Sequence, residues 1–365
     1  MRLSHFSALR PVCPVCRTLA GTLSPLGISL VEAERNEDII AGVLGCSACG
    51  AEYPIIDGMP VLVPDVRRYV QDNLFFLMAR DDLTPAVESL LGDAAGLGSG
   101  VDSLRQHVSS YMWDHWGDCD PDGPGRVPGD TRPGCLARNL HEGLTLVGDD
   151  LPDGPILDIG CGAGRTVVEL ARTTGRQVLG IDISVPLARV GRKAAVEKRA
   201  DYSLKRAGLV YERRRFALDH DTAALNDVWI CDVLALPFSS GSFALASAMN
   251  VLDCVRDPRA ALIEISRVLT ADGKALLSIP FDWSGHVTPP EAWLGGHSQR
   301  APHGGDPEAI LAMLLSDGPL SAGGLRQCGP AREVAWQVRL HDRSVMHYSA
   351  LLTVARNHPN TGAPA

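Results

Sequence analysis

From Pro155 to Pro280 the chain alternates short apolar runs with amphipathic stretches, and this alternation is the strongest constraint on its fold. "PILDIG" reads as a buried strand and "AGRTVVELARTTG" as a helix closed by Gly175. "QVLGIDIS" follows as a second strand, and "VPLARVGRKAAVEKR" as a second helix. "DVWICDV", "SFALASAMN" and "KALLSIP" supply three more strands. The helix "DPRAALIEISRVLTADG" precedes the last of them, with Asp257 as N-cap, Pro258 in its first turn and Gly273 as terminator. Strands separated by helices in this way specify an α/β fold, a doubly wound parallel sheet covered on both faces.

The first strand runs into "GCGAGR". A glycine turn between strand and helix lets a ligand approach the backbone closely. A dinucleotide, S-adenosylmethionine or no ligand at all are each compatible with such a turn. The spacing of Gly160, Gly162 and Gly164 departs by one residue from the dinucleotide fingerprint Gly-x-Gly-x-x-Gly. Asp158 stands two residues before the first glycine, where it would repel a pyrophosphate but suit a ligand carrying an ammonium and a sulfonium. Asp182 ends the second strand and is placed to accept hydrogen bonds from ribose hydroxyls, although nicotinamide cofactors need the same carboxylate. Asp232, at the end of the third strand in "CDVLALPF", is positioned to read an adenine amine. Any one of these aspartates alone reads equally as a turn or helix cap.

"ILDIGCGAGR", "GIDIS", "CDVLALPF" and "RVLTADGKALLSIP" together resemble the successive motifs of class I S-adenosylmethionine-dependent methyltransferases over about 150 to 357. The resemblance implies a seven-stranded Rossmann-like sheet of order 3-2-1-4-5-7-6. The C-terminal hairpin, formed by the alternating runs around Val334 to Leu340 and Tyr348 to Val354, would supply its antiparallel strand seven. It also implies that Asp158, Gly160, Gly162 and Gly164 contact the methionine part, Asp182 the ribose, and Asp232 with Val233 the adenine, while Asn250 lies near the methyl group. Two positions depart from the pattern. Ala244 replaces an aspartate common after the phenylalanine of strand four, and Asp253 with Cys254 stand where a His or Glu pair often follows the asparagine. The catalytic base is therefore open, with Asp253, Asp282 and His286 as candidates and His297 and His303 further along the same loop. Cys161 reads as a small packing residue.

Ahead of this region, residues 1–65 are short apolar segments broken by Cys, Gly and Pro. They read as a small β module with strands around Val12, Leu30 and Val43 to Leu44 and an exit near Pro64. Cys13 with Cys16 and Cys46 with Cys49 form two Cys-x-x-Cys knuckles. Four thiolates at this spacing can close a tetrahedral structural zinc site, Zn2+ with no position left for catalysis. "CSACGAEYPIIDGMPVLVP" resembles the zinc-ribbon family of small activator subunits that partner tRNA, rRNA and release-factor methyltransferases, here in the same chain.

Residues 66–150 form a helical lead-in. Within it, 117–134 contains Gly, Pro or Asp at 13 of 18 positions and reads as a loop. "YMWDHW", Tyr111 to Trp116, reads as an aromatic helix packed into the core, with coverage of the cofactor mouth as the second reading. The methyltransferase region occupies 151–357, and 358–365 is a tail.

The chain has a net charge of −9, which argues against a protein built to coat nucleic acid. Residues 189–215 nevertheless carry ten Lys or Arg against three acids. That run reads either as a solvated insertion or as a face for RNA. No run approaches the ~18 apolar residues of a membrane span and no signal peptide is evident, so a cytoplasmic location is expected. The expected activity is methyl transfer from S-adenosylmethionine to an O or N nucleophile, with a small-molecule acceptor favoured. RNA methylation through 189–215 and a non-catalytic scaffold are the alternatives, and the oligomeric state is left open.

Overall fold

The computed structural model describes residues 1–358; the remainder of the expected tail at 358–365 lies outside them. The N-terminal region holds helices α1 (Leu3–Leu9) and α2 (Pro14–Ala20) and strands β1 (Gly27–Arg35), β2 (Asp38–Gly45), β3 (Glu52–Ile56) and β4 (Met59–Leu62). The lead-in is α3 (Val66–Met78), α4 (Pro85–Ala95), α5 (Gly100–Trp116) and α6 (Cys135–Val147). There follow β5 (Ile156–Ile159), α7 (Arg165–Thr174), β6 (Val178–Asp182), α8 (Val185–Ala195), the hairpin β7 (Arg199–Ala207) and β8 (Val210–Ala217), and β9 (Asn226–Cys231). The chain continues through β10 (Phe243–Met249), α9 (Pro258–Val268), β11 (Leu269–Ile279), α10 (Pro307–Leu314), β12 (Leu325–Gln327), β13 (Arg332–His341) and β14 (Ser344–Asn357).

Twelve of these strands make one sheet of order β1-β2-β3-β4-β9-β6-β5-β10-β11-β14-β12, with β13 also on β14. β5, β6, β9, β10 and β11 run parallel, and β14 lies antiparallel to β11. Every residue of β5, β6, β9 and β10 is buried, as expected for strands covered by helices on both faces. Two strands, β12 and β13, share the far side of β14 where one was expected.

The N-terminal module does not stand apart from this sheet. β4 pairs in parallel with β9, Val61 opposite Ile230 and Leu62 opposite Cys231, so the ribbon extends the sheet beyond its third strand. Buried side chains join the two parts further. Arg192 on α8 contacts Asp38 and Asp227, and Arg17 on α2 pairs with Glu264 at 2.9 Å. Gly58 has φ +77°, and a Cβ there would fall 2.4 Å from Cζ of Arg192. The glycine of "YPIIDGMP" thus allows both the turn and the approach of the guanidinium.

Three local expectations are corrected. Residues 1–65 are not wholly β: α2 forms because Pro14 starts it and Cys13 caps it, accepting from the Cys16 amide. Val12 makes only an isolated bridge with Pro25. The second helix stops at Ala195 instead of running to Arg199, because Lys198 takes φ 58° and the chain turns at Gly208 into the β7–β8 hairpin. The helix before the fifth strand stops at Val268; Gly273 lies inside β11, where Leu269 already pairs with Phe243.

Candidate functional site

The glycine turn leaves the C-terminal end of β5 and enters α7. All three glycines are left-handed, with φ of 65°, 50° and 82° at Gly160, Gly162 and Gly164. Two also permit close packing. A Cβ at Gly160 would meet Val251 at 2.5 Å, and one at Gly164 would meet the Gly191 carbonyl at 2.6 Å, so the turn lies between the end of β10 and α8. Cys161 is buried in the turn and its thiol is pushed up by burial, which leaves it a packing residue and not a nucleophile.

Asp182 organises the turn. Its two carboxylate oxygens accept from the Gly162 and Ser184 amides at 2.9 and 2.8 Å, and burial raises its pKa. Tyr69 of α3 donates to the Ile183 carbonyl at 2.7 Å and so brings that helix over the residue after Asp182. Asp158, beneath the turn, accepts from Thr166 and has no cationic partner among the described residues. Burial, reinforced by the charge of Asp182, lifts its carboxyl to about 7. Asp232 caps the short 233–235 turn by accepting from the Leu234 amide at 2.9 Å, Val233 is buried beside it, and Arg256 approaches to 3.8 Å.

Asn250 ends β10 with φ 57°. Its side-chain oxygen accepts from Ser278 at 2.7 Å, whereas its buried Nδ2 has no partner. Asp253, three residues on, is buried; one oxygen accepts from the Asp282 amide at 3.0 Å and the other, Oδ1, has no partner. Burial raises its carboxyl to about 6, with the charge of Asp282 adding to the effect. Asp282 itself accepts from Tyr348 at 2.9 Å, which ties the loop after β11 to β14. His286 is exposed on this loop and makes no hydrogen bond among the described residues, and His297 and His303 are exposed further along it. Of the three candidate bases, the structure brings Asp253 and Asp282 together, and His286 lies exposed between Ser284 and Thr288, both of which donate to the Asp253 carbonyl.

The fourth wall comes from α5. Tyr111 and His115, one turn apart, face the glycine turn, and a Cβ at Gly162 would lie 3.5 Å from both rings. Trp116 donates to the Ala163 carbonyl at 2.7 Å, and Arg165 returns to the His115 carbonyl and ring. The Tyr111 phenol is raised by burial and then by the charges of Cys254, Asp182 and Asp253, which places it on the same side as the acidic groups. The aromatic segment is therefore packed and also lines the turn. Its spacing carried the signal: Tyr111 and His115 stand four apart, on one helix face.

His115 Nε2, Asn250 Nδ2 and Asp253 Oδ1, all buried around these strand ends, lack a hydrogen-bond partner among the described residues. Unpaired buried polar atoms are costly, and a ligand bound at this turn could complete these three. The set combines donors with the buried carboxylates Asp158 and Asp182. It fits S-adenosylmethionine, a cationic ligand.

At the other end of the molecule Cys13, Cys16, Cys46 and Cys49 form one cluster, their sulfurs all within 4.8 Å of one another. The pairs Cys13–Cys49 and Cys16–Cys46 are 3.6 and 3.7 Å apart. A tetrahedral zinc with Zn–S of ~2.3 Å requires about 3.8 Å between sulfurs, so the cluster fits a structural zinc ion.

The basic run at 189–215 is not a free cationic face. Arg189, Arg192, Lys193, Arg199, Lys205, Arg206, Arg213, Arg214 and Arg215 each pair with a carboxylate, among them Asp57, Asp81, Asp102, Asp120 and Asp201. The sequence count missed this because most of those acids lie outside the run. No helix among the described residues is long and apolar enough to cross a membrane.

Comparison with known proteins finds family matches for two segments of the chain. Residues 157–277 match the family described as a methyltransferase domain, and residues 12–58 match the family described as Trm112p-like protein. The chain is 33% identical over 138 residues to the O-methyltransferase resE of Aspergillus sclerotiorum, covering 38% of this chain and 43% of that protein. It is 30% identical over 129 residues to a ubiquinone biosynthesis O-methyltransferase of Xanthomonas oryzae pv. oryzae, covering 35% and 44%. The chain thus spans about half or less of the length of these curated relatives. Among solved structures, the complex containing the Haloferax volcanii Trm112 methyltransferase activator is 18% identical with a TM-score of 0.37, covering 62% of this chain and 93% of that one. The chain therefore carries a methyltransferase domain joined behind a Trm112p-like module whose four cysteines form a single cluster.

Proposed function

We propose that this protein transfers a methyl group from S-adenosylmethionine to an oxygen or nitrogen of a small neutral or cationic molecule. The observation that carries the reading is the turn itself. Three left-handed glycines lie at the end of a parallel strand, beside buried Asp158 and Asp182. Such a lining disfavours a pyrophosphate and favours a positively charged cofactor. When bound, that cofactor supplies a methyl group on a cationic sulfur, and the protein's part is alignment and proton removal.

Asp253 is the proton acceptor in this reading. It follows the strand-four asparagine, its free Oδ1 is buried, and its carboxyl sits near 6. A carboxylate so poised can take the proton of an attacking hydroxyl or amine at neutral pH. Asp282 lies beside it, and neither pairs with a cation among the described residues, so these two carboxyls are unfavourable to phosphate-bearing substrates. The names of the curated relatives, O-methyltransferases over the matched segment, favour oxygen as the acceptor atom. The neutralised charges of 189–215 weigh against RNA.

Calorimetry of the full chain with S-adenosylhomocysteine tests the cofactor assignment, and failure to bind would end it. Incubation with labelled S-adenosylmethionine and cell extract, followed by fractionation, tests the acceptor. Label is expected in the small-molecule fraction; label in RNA would overturn the acceptor class while leaving the cofactor assignment intact.

A further inference from the structure

His115 is 1% exposed, yet one of its ring nitrogens has no partner. The other, Nδ1, accepts from the Arg165 backbone amide at 3.1 Å. An accepting Nδ1 places the proton of the neutral ring on Nε2, so the unpartnered atom is a donor. Burial, with the Arg165 charge adding to it, pushes the imidazole down to about 3, and the ring is neutral at physiological pH.

The position of that donor is specific. It lies against Gly162, where a Cβ would be 3.5 Å from it, beside the N-terminal end of the ten-residue helix α7. The Ala163 amide, between Gly162 and Gly164, donates to no backbone carbonyl. An N–H at a helix start and a neutral imidazole N–H together make a site for an anion, in a turn whose other side carries the Asp158 carboxylate. One small group that presents an anion and a cation one carbon apart is an α-amino acid.

We propose that His115 and the Ala163 amide form the carboxylate-binding pole of the methyl-donor site, holding the α-carboxylate of the cofactor's amino-acid part while Asp158 faces its ammonium. This rests on the cofactor assignment above and adds to it the residue that orients the methionine end. The aromatic helix α5 is thereby part of the binding machinery as well as the core. Because Arg165 and Trp116 fasten α5 to α7, the donor is held in place before the ligand arrives.

The test uses two ligands on the full chain. S-adenosylhomocysteine carries the α-carboxylate, and 5′-methylthioadenosine lacks the amino-acid part but keeps adenine, ribose and sulfur. His115→Asn preserves an acceptor near the Nδ1 position for the Arg165 amide and removes the Nε2 donor. It is expected to weaken S-adenosylhomocysteine roughly 10- to 100-fold, the range for loss of a charge-assisted hydrogen bond, and to change methylthioadenosine binding less than about twofold. His115→Ala, checked for an unchanged melting temperature, should give the same ratio. Equal losses for both ligands would make His115 a structural residue and overturn the proposal, as would unchanged binding of both. A wild-type protein that binds neither ligand would instead remove the cofactor assignment, and this inference with it.

Discussion

Nη2 of Arg192 lies 2.6 and 2.5 Å from the two carboxylate oxygens of Asp38, joining the first turn of the ribbon's second strand to α8 of the methyltransferase region across 154 residues of sequence. The guanidinium is 2% exposed and also stands 3.5 Å from Asp227 on β9. Its removal would leave Asp227 buried without an ion-pair partner among the described residues and Asp38 with the Met1 ammonium alone.

Arg192→Met is therefore expected to destabilise the whole chain by roughly 3–5 kcal/mol, the usual cost of breaking a buried pair from one side. Gly58→Ala should act in the same direction, because its Cβ would strike the guanidinium and its backbone is left-handed. Denaturant unfolding checks both. A change within about 0.5 kcal/mol would show that the module is not held by this contact.

Binding of S-adenosylhomocysteine should depend on pH through Asp158. Its carboxyl sits at about 7 in the free protein because burial disfavours the charge. The ligand's ammonium favours the carboxylate, so binding lowers that pKa and expels a proton wherever the group was protonated. Affinity is expected to hold above pH 7 and to fall below it, by up to about tenfold per pH unit. Asp158→Asn should bind more weakly and lose this dependence. Calorimetry between pH 5.5 and 8 would reveal a flat wild-type profile if the assignment is wrong.

Asp253→Asn should leave S-adenosylhomocysteine affinity within about twofold and reduce turnover by roughly 10²- to 10⁴-fold, the range for loss of a general base. In the wild type the acid limb of the rate profile should fall near pH 6, since the free carboxylate is the active form. Undiminished label transfer by the variant would return the base to Asp282 or to solvent.

Metal analysis should find one zinc per chain, held by Cys13, Cys16, Cys46 and Cys49. Because β4 pairs directly with β9, stripping the metal should perturb the adenine end of the site as well as the ribbon. A fall in melting temperature of more than about 5 °C with weaker S-adenosylhomocysteine binding is expected. Full retention of both after chelation would mean that the cluster does not support the sheet.

Charge reversal at Arg213, Arg214 and Arg215 should lower stability without affecting any RNA retention. Arg213 bridges Asp201 and Glu88, and Arg214 is buried against Asp120. Selective loss of RNA binding in a folded variant would restore the nucleic-acid reading.

What could be read from the sequence alone was the chemistry that depends on near neighbours. The spacing of Gly160, Gly162 and Gly164 after a buried strand, the aspartates ending successive strands, and the two Cys-x-x-Cys pairs each act within a few residues, so their meaning survives without coordinates. Periodicity likewise located the alternating strands and helices, and it failed where a turn was decided by one left-handed residue, as at Lys198. Tertiary structure decided the relationships between distant segments. The ribbon could have hung from a linker, but Val61 and Leu62 pair with Ile230 and Cys231. Ten positive charges in one run could have formed a surface, but nine of them pair with carboxylates, seven with acids from elsewhere in the chain. His115 could have been one more ring in an aromatic core, until the fold set its Nδ1 on Arg165 and its Nε2 against Gly162. Burial and long-range pairing determine whether a charge or a hydrogen-bonding atom is satisfied, and neither quantity is defined before the chain has folded.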